Sequence, residues 1–299
     1  MIPRVSGPRA QLHGGLLVAV SAAAFGALPI FARLAYAAGV DLYGVLVPRF
    51  ALGAVVLALT ALARGARWPR GRALLAVLAM GALGYTGQSL CYFSALKHAD
   101  ASLVALLLYS FPFIVAVLAA VFLGERLDAA RVAALAVASV GLALTIGGGT
   151  GTPLGIALAL GAALIYAVYI VVGTRLLRDL DALAASSLIC AAAAASFAVL
   201  ATMNAAAGDG PRWPATAGGW LPVVGLALVS TALAIATFFA GLRRLGATLT
   251  SVISTLEPVV SVMLAASVLG ERIGALQALG GAIVVGTAAW LALRPSRRR

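Results

Sequence analysis

The chain alternates long apolar runs with short charged joints. The runs cover about 14–36, 42–63, 73–96, 101–123 and 130–146, and then 154–174, 182–204, 220–241, 247–269 and 275–293. Each is close to the ~20 residues that a helix needs to cross the hydrocarbon core of a bilayer. They are rich in Ala and Leu and lack the two-residue alternation of barrel strands, so they predict membrane helices. Ten spans result, five on each side of a glycine-rich joint at 147–153 (GGGTGTP). The first run also has a signal-peptide reading, because Ala35-Tyr36-Ala37 resembles a cleavage site. It is too long for a typical signal core and has a counterpart in the second half, so it is read as a helix.

The halves repeat each other. Residues 103–126 (LVALLLYSFPFIVAVLAAVFLGER) align without a gap on 249–272 (LTSVISTLEPVVSVMLAASVLGER), an offset of 146. Pro112 falls on Pro258, and Gly124-Glu125-Arg126 on Gly270-Glu271-Arg272. Five spans is an odd number, so the second half enters the membrane from the opposite side. This predicts an inverted repeat about an axis in the membrane plane. Gly124 and Gly270 can end their helices in a left-handed conformation, and Glu125 and Glu271 can then favour the start of the next helix. A sharper reading makes Glu125, Arg126, Glu271 and Arg272 gate residues and Pro112 and Pro258 flexible points.

Composition confirms the class. The chain is 63% hydrophobic and only 10% charged, which leaves too little polar surface for a water-soluble domain of 299 residues. The net charge of +12 sits mainly in the joints, where it sets orientation and does not mark a nucleic-acid surface. With the N-terminus in the cytoplasm, 16 of the 21 Lys and Arg fall on the inner side and 4 on the outer, with Arg49 within a span. That split predicts ten helices with both termini cytoplasmic. Cys91, Cys190, His13 and His98 form no metal or disulfide pattern, and no phosphate-cradling GxxxxGK[ST] loop is present. No cofactor, metal or intramembrane enzyme chemistry is expected.

Charge inside a span is costly and marks candidate chemistry. Arg49 stands in span two and Glu257 in mid-span nine, where they either pair structurally or face a watery cavity. Thr250, Ser254, Glu257 and Ser261 share one helical face, which predicts a cavity wall or a polar helix contact. Where span nine has Glu257, the matching copy has Phe111. Tyr85, Gln88 and Tyr92 make a second face on span three, an amphipathic wall suited to an organic solute. Tyr109, Phe25 and Tyr166 complete the candidate lining. Ala278, Ala282 and Gly286 read as a close-packing stripe on span ten.

The two five-helix halves, the paired proline and Leu-Gly-Glu-Arg ends, Leu256-Glu257-Pro258 and the early arginine of span two resemble the drug/metabolite transporter superfamily, in its EamA-type branch. The resemblance covers about residues 14–293. It implies a ten-helix inner-membrane carrier whose cavity is walled largely by spans three, four, eight and nine, and Arg49 and Glu257 match positions that the family tends to keep. It also implies transport of small metabolites, with amino-acid export the leading expectation. The expected partners are a small solute, a proton as candidate co-substrate carried at Glu257, and the lipid bilayer. Monomer and homodimer both remain open, and a channel-like facilitator or a carrier for another metabolite is the rival reading.

Overall fold

The computed structural model describes residues 8–95, 97–99, 101–125, 127–147, 150–270 and 272–293. Arg126 and Glu271 lie outside the described residues. Every predicted run is a helix or a string of helical segments in line. Span one is Pro8–Gly26 and Leu28–Ala37. Span two is Leu42–Ala63, and span three is Gly71–Ala79, a π-helical turn at Met80–Tyr85, and Thr86–Ala95. Span four is Ala101–Leu108 and Phe111–Leu123, and span five is Ala129–Ile146. The second half gives span six, Pro153–Leu176, and span seven, Ala182–Ala206. Span eight is Ala217–Ala227, a π-helical turn at Leu228–Leu233, and Ala234–Leu245. Span nine is Ala247–Ser254 and Leu256–Leu269, and span ten is Ala275–Leu293.

Local chemistry explains four of the starts. Asp41, Asp128 and Asp181 stand just before spans two, five and seven, and each carboxylate accepts from a backbone N–H of its own first turn at 2.7–3.1 Å. Thr152 does the same for span six. Gly124 and Gly270 end the helices before them in the left-handed region, with φ of 64° and 71°.

The joints sort to two ends of the bundle. At one end the Asp41 N–H donates to the Arg212 carbonyl and the Thr152 N–H to the His98 carbonyl. At the other, Glu125 meets the start of span nine, and Gln11 near the chain start donates to the Leu291 carbonyl near its finish. Span nine therefore begins beside the first Gly-Glu-Arg corner and finishes at the second, which puts the two corners at opposite ends. Packing follows the same inversion. Span one packs on eight as six packs on three, while two packs on seven and five on ten.

Lipid offers no hydrophobic drive for helix pairing, so small residues and close backbones do that work. A Cβ on Gly280 would stand 2.4 Å from the Gly141 carbonyl oxygen, so spans five and ten touch backbone to backbone there. The stripe expected for this role is the wrong one. Ala278, Ala282 and Gly286 face outward, and Gly280, Gly281, Val284 and Ala288 make the buried face. Two stripes of small residues run along span ten, and apolar spacing alone does not choose between them.

Candidate functional site

The site forms where spans four and nine break. In span four the helix stops at Leu108, and Tyr109 and Ser110 turn before Phe111-Pro112 starts the next segment. In span nine the break is Thr255, before Leu256-Glu257-Pro258. Each proline sits in the first turn of the new segment, where its missing N–H costs nothing and its ring blocks the helix behind it. The bends thus fall two to three residues before Pro112 and Pro258. Glu257 is carried into the first turn of a helix, where a negative charge is favoured.

Glu257 is only partly buried, and the Tyr109 hydroxyl is within reach of its carboxylate. Tyr85, Tyr92 and Tyr166 also lie in its electrostatic reach. Arg49 does not pair with it. The guanidinium is buried, with Nε donating to Thr231 Oγ1 at 2.7 Å and Nη2 to the Ser230 carbonyl at 3.2 Å, both on the π-helical turn of span eight. It also lies 4.8 Å from the ring centroid of Phe50 and within reach of the Tyr85 hydroxyl. Ser230 in turn donates its hydroxyl to the Ala24 carbonyl of span one at 2.7 Å. Arg49 is therefore a clasp between spans two and eight that also steadies Tyr85, and it forms no ion pair with Glu257.

An aromatic wall stands beside the carboxylate. Phe50 meets Tyr85 edge-on at 4.9 Å, Tyr85 meets Tyr169 at 6.1 Å, and Tyr169 stacks on Tyr166 at 6.3 Å. Tyr166 then meets Phe111 at 4.7 Å, and Phe111 meets Tyr109 at 6.1 Å. Tyr85, Gln88, Tyr92 and Tyr166 are half-buried, as is Phe25, which packs against the same core. The wall joins faces from spans two, three, four and six into one run of rings ending at Glu257. Such a surface holds a flat apolar group beside a cation-binding carboxylate.

Two candidates take other roles. Thr250 and Ser254 are buried, and their hydroxyls donate to the carbonyls of Gly246 and Thr250 in their own helix, at 2.7 and 2.9 Å. The break at Thr255 splits the expected face, so they line no cavity. Ser261 donates to the Gly26 carbonyl at 2.9 Å, at the break of span one.

The two ends of the site differ. At the end carrying the arginine-rich joints, Phe111–Leu123 packs on Ala247–Ser254, every residue of which is buried. Glu125 does not serve the next helix, as its position after Gly124 predicts, because Asp128 already caps span five. Instead it accepts from Ala247 N–H at 2.9 Å and Thr248 N–H at 3.3 Å, at the start of span nine. At the other end the second segment of span nine is half exposed. A cleft of about 220 Å³ runs there between it and span one, lined by Pro29, Arg33, Ser261, Ala265 and Arg272 among others. Arg272 thus borders a cleft at one end, which neither Glu257 nor the aromatic wall lines, while Glu125 is buried against span nine at the other. Among the described residues no group of side chains is arranged to hold a metal ion.

Sequence reasoning missed Thr231, Ser230 and the break at Ala27. A signal for the last was present, since Pro29 stands in the first turn after it as Pro112 and Pro258 do after theirs.

Comparisons with known proteins identify the family and the fold. The profile of the EamA-like transporter family matches twice, over residues 12–147 and 153–293. The chain is 31% identical over 249 residues to the aromatic amino acid exporter YddG of Ancylobacter novellus, covering 80% of this chain and 84% of that protein. It is 36% identical over 115 residues to a probable terminal-alkyne amino-acid exporter of Streptantibioticus cattleyicolor, covering 37% of this chain and 39% of that one. A protein of known crystal structure superposes with a TM-score of 0.80 at 27% identity, over 92% of this chain and 95% of its own.

Proposed function

We propose that this chain, which belongs to the EamA-like transporter family, exports a neutral amino acid with an apolar or aromatic side chain by alternating access. It is a multi-pass membrane transporter and not an enzyme. The observation that carries the solute assignment is a half-buried mid-membrane carboxylate, Glu257, set at a helix break at the end of a run of aromatic rings. The carboxylate receives the solute ammonium group, and the rings of Tyr85, Tyr166 and Phe111 receive its side chain. Tyr109 orients the carboxylate, and Arg49 fixes Tyr85. Both named relatives are amino-acid exporters, which supports the same solute class.

In this reading the halves 14–146 and 153–293 rock about the site, and the helix breaks at Tyr109-Ser110 and Thr255 let spans four and nine bend. The membrane is the bacterial inner membrane with both chain ends in the cytoplasm, as the 16-to-4 division of basic residues supports. In this orientation the cleft between spans one and nine faces the outside, and the buried contact of Glu125 with span nine faces the cytoplasm.

Counterflow in proteoliposomes tests the proposal. Labelled phenylalanine, leucine and alanine are taken up against an excess of the same unlabelled amino acid inside. The expected result is uptake accelerated by internal solute, greatest for the larger side chains, and a loss of roughly thirtyfold or more in Glu257→Gln, the usual scale for a buried charged partner. If Glu257→Gln keeps counterflow but no longer responds to an imposed pH gradient, the carboxylate carries the proton and not the ammonium group. Uptake without trans-acceleration identifies a facilitator and overturns the carrier reading.

A further inference from the structure

Span nine has no side-chain cap of its own. Spans two, five, six and seven are capped by a side chain of their own, from Asp41, Asp128, Thr152 and Asp181. Span nine is preceded by Gly246, which has no side chain to offer. The cap comes from the other half of the molecule, where Glu125 puts Oε1 on Ala247 N–H and Oε2 on Thr248 N–H. The glycine is needed for this approach. A Cβ at Gly246 would lie 2.4 Å from Glu125 Oε1, and its φ of 82° with ψ of 177° is a conformation that L side chains rarely adopt.

The inverted repeat states what the opposite end would need. At the offset of 146, Glu125 corresponds to Glu271, Ala247 to Ala101, Thr248 to Ser102 and Gly246 to Asp100. The sequence thus has an acidic residue at span four where span nine has a glycine, so the pairing of a carboxylate with a bare glycine is not repeated at the matching position.

We infer that Glu125 is a one-sided latch that holds the arginine-rich end shut by capping span nine across the repeat boundary, and that Glu271 performs no matching task. The inference rests on the alternating-access reading above, in which the contact of spans four and nine must part for the solute to enter from that end. Both partners of the latch belong to that contact, since Glu125 ends span four and Ala247 begins span nine. The closed end also contains a built-in opponent. Thr248 Oγ1 is fully buried and has no hydrogen-bond partner among the described residues. Opening admits water to that hydroxyl, so the latch works against a group that gains from opening.

Thiol accessibility without any solute tests the latch. Ser251, fully buried behind the cap, is changed to Cys in a Cys91→Ala, Cys190→Ala background, and its reaction with a soluble maleimide is followed in nanodiscs. Glu125→Ala and Gly246→Ala are expected to accelerate labelling about tenfold, the population shift that loss of a helix cap produces. Glu125→Gln keeps an acceptor and accelerates it less. Glu271→Ala leaves the rate within about twofold. Size-exclusion profiles confirm the fold, and Gly246→Ala and Glu125→Gln carry the test if Glu125→Ala does not assemble. Labelling of Glu125→Ala and Gly246→Ala at the parent rate, or equal acceleration by Glu271→Ala, overturns the inference. Because no solute is present, failure here leaves the counterflow result standing, and failed counterflow leaves the labelling result standing.

Discussion

Spans four and nine descend from one helix and now differ at three matched places. Both break at the same register, at Tyr109-Ser110 and Thr255, and both resume with a proline in the first turn. Two residues beyond the turn, span four has Phe111, 1% exposed and in contact with Tyr166, while span nine has the half-buried Glu257. At the turn itself Tyr109 faces the carboxylate, and its counterpart Thr255 spends its hydroxyl on the Val252 carbonyl at 2.6 Å. At the start, Asp100 stands where span nine has Gly246. The backbone geometry was kept because the bend is needed twice. The side chains diverged because a single solute needs one carboxylate and one wall. Span four became the wall and span nine the binding arm.

The largest effect follows from copying the arm into the wall. Phe111→Glu places a charge at a dry position with no donor facing it, which should cost about 3–5 kcal/mol and collapse the folded fraction in a detergent melting assay. Phe111→Met should be nearly silent in the same assay. Next is the clasp. Arg49→Met leaves Thr231 and the Ser230 carbonyl without their charged donor and should lower stability by about 2–3 kcal/mol. Combined with Glu257→Gln, its effect on melting should add within about 0.5 kcal/mol, because the two residues form no ion pair. A strongly non-additive cycle would restore the pairing that the geometry rejects.

Tyr166→Leu should change preference more than stability. Removing a ring from the wall should narrow the advantage of phenylalanine over alanine in competition uptake by about five- to tenfold, a loss of about 1 kcal/mol in ring contact. Thr250→Val and Ser254→Ala should do least, within about 0.5 kcal/mol in melting and about twofold in uptake, since their hydroxyls serve only their own helix. A large uptake defect in either would return these residues to the cavity.

The architecture was legible because length, apolarity and the placement of basic residues are properties of whole segments. Ten runs, a doubled motif and the two glycine corners with left-handed φ all follow from them. Glu257 was legible because a charge in an apolar run is conspicuous at any register. What failed depends on direction at the scale of one turn. Thr250 and Ser254 share a face with Glu257 in a continuous helix, but the break at Thr255 rotates the two segments apart. The π-helical turns that present Ser230 and Thr231 to Arg49 have no residue signature of their own. Glu125 was read toward the helix that follows it in sequence. Asp128 fills that place, and the vacancy was at Gly246, 121 residues further on. A glycine where spans two, five, six and seven carry Asp or Thr was the available sign.

The most direct test compares the two helices at matched depth. Glu257→Cys and Phe111→Cys, each in the Cys91→Ala, Cys190→Ala background, are exposed in membrane vesicles to a thiol reagent that cannot cross lipid. The account predicts that Glu257→Cys reacts from the face opposite the arginine-rich joints while Phe111→Cys stays unmodified. Equal labelling of the two positions, or no labelling of Glu257→Cys from either face, would contradict it.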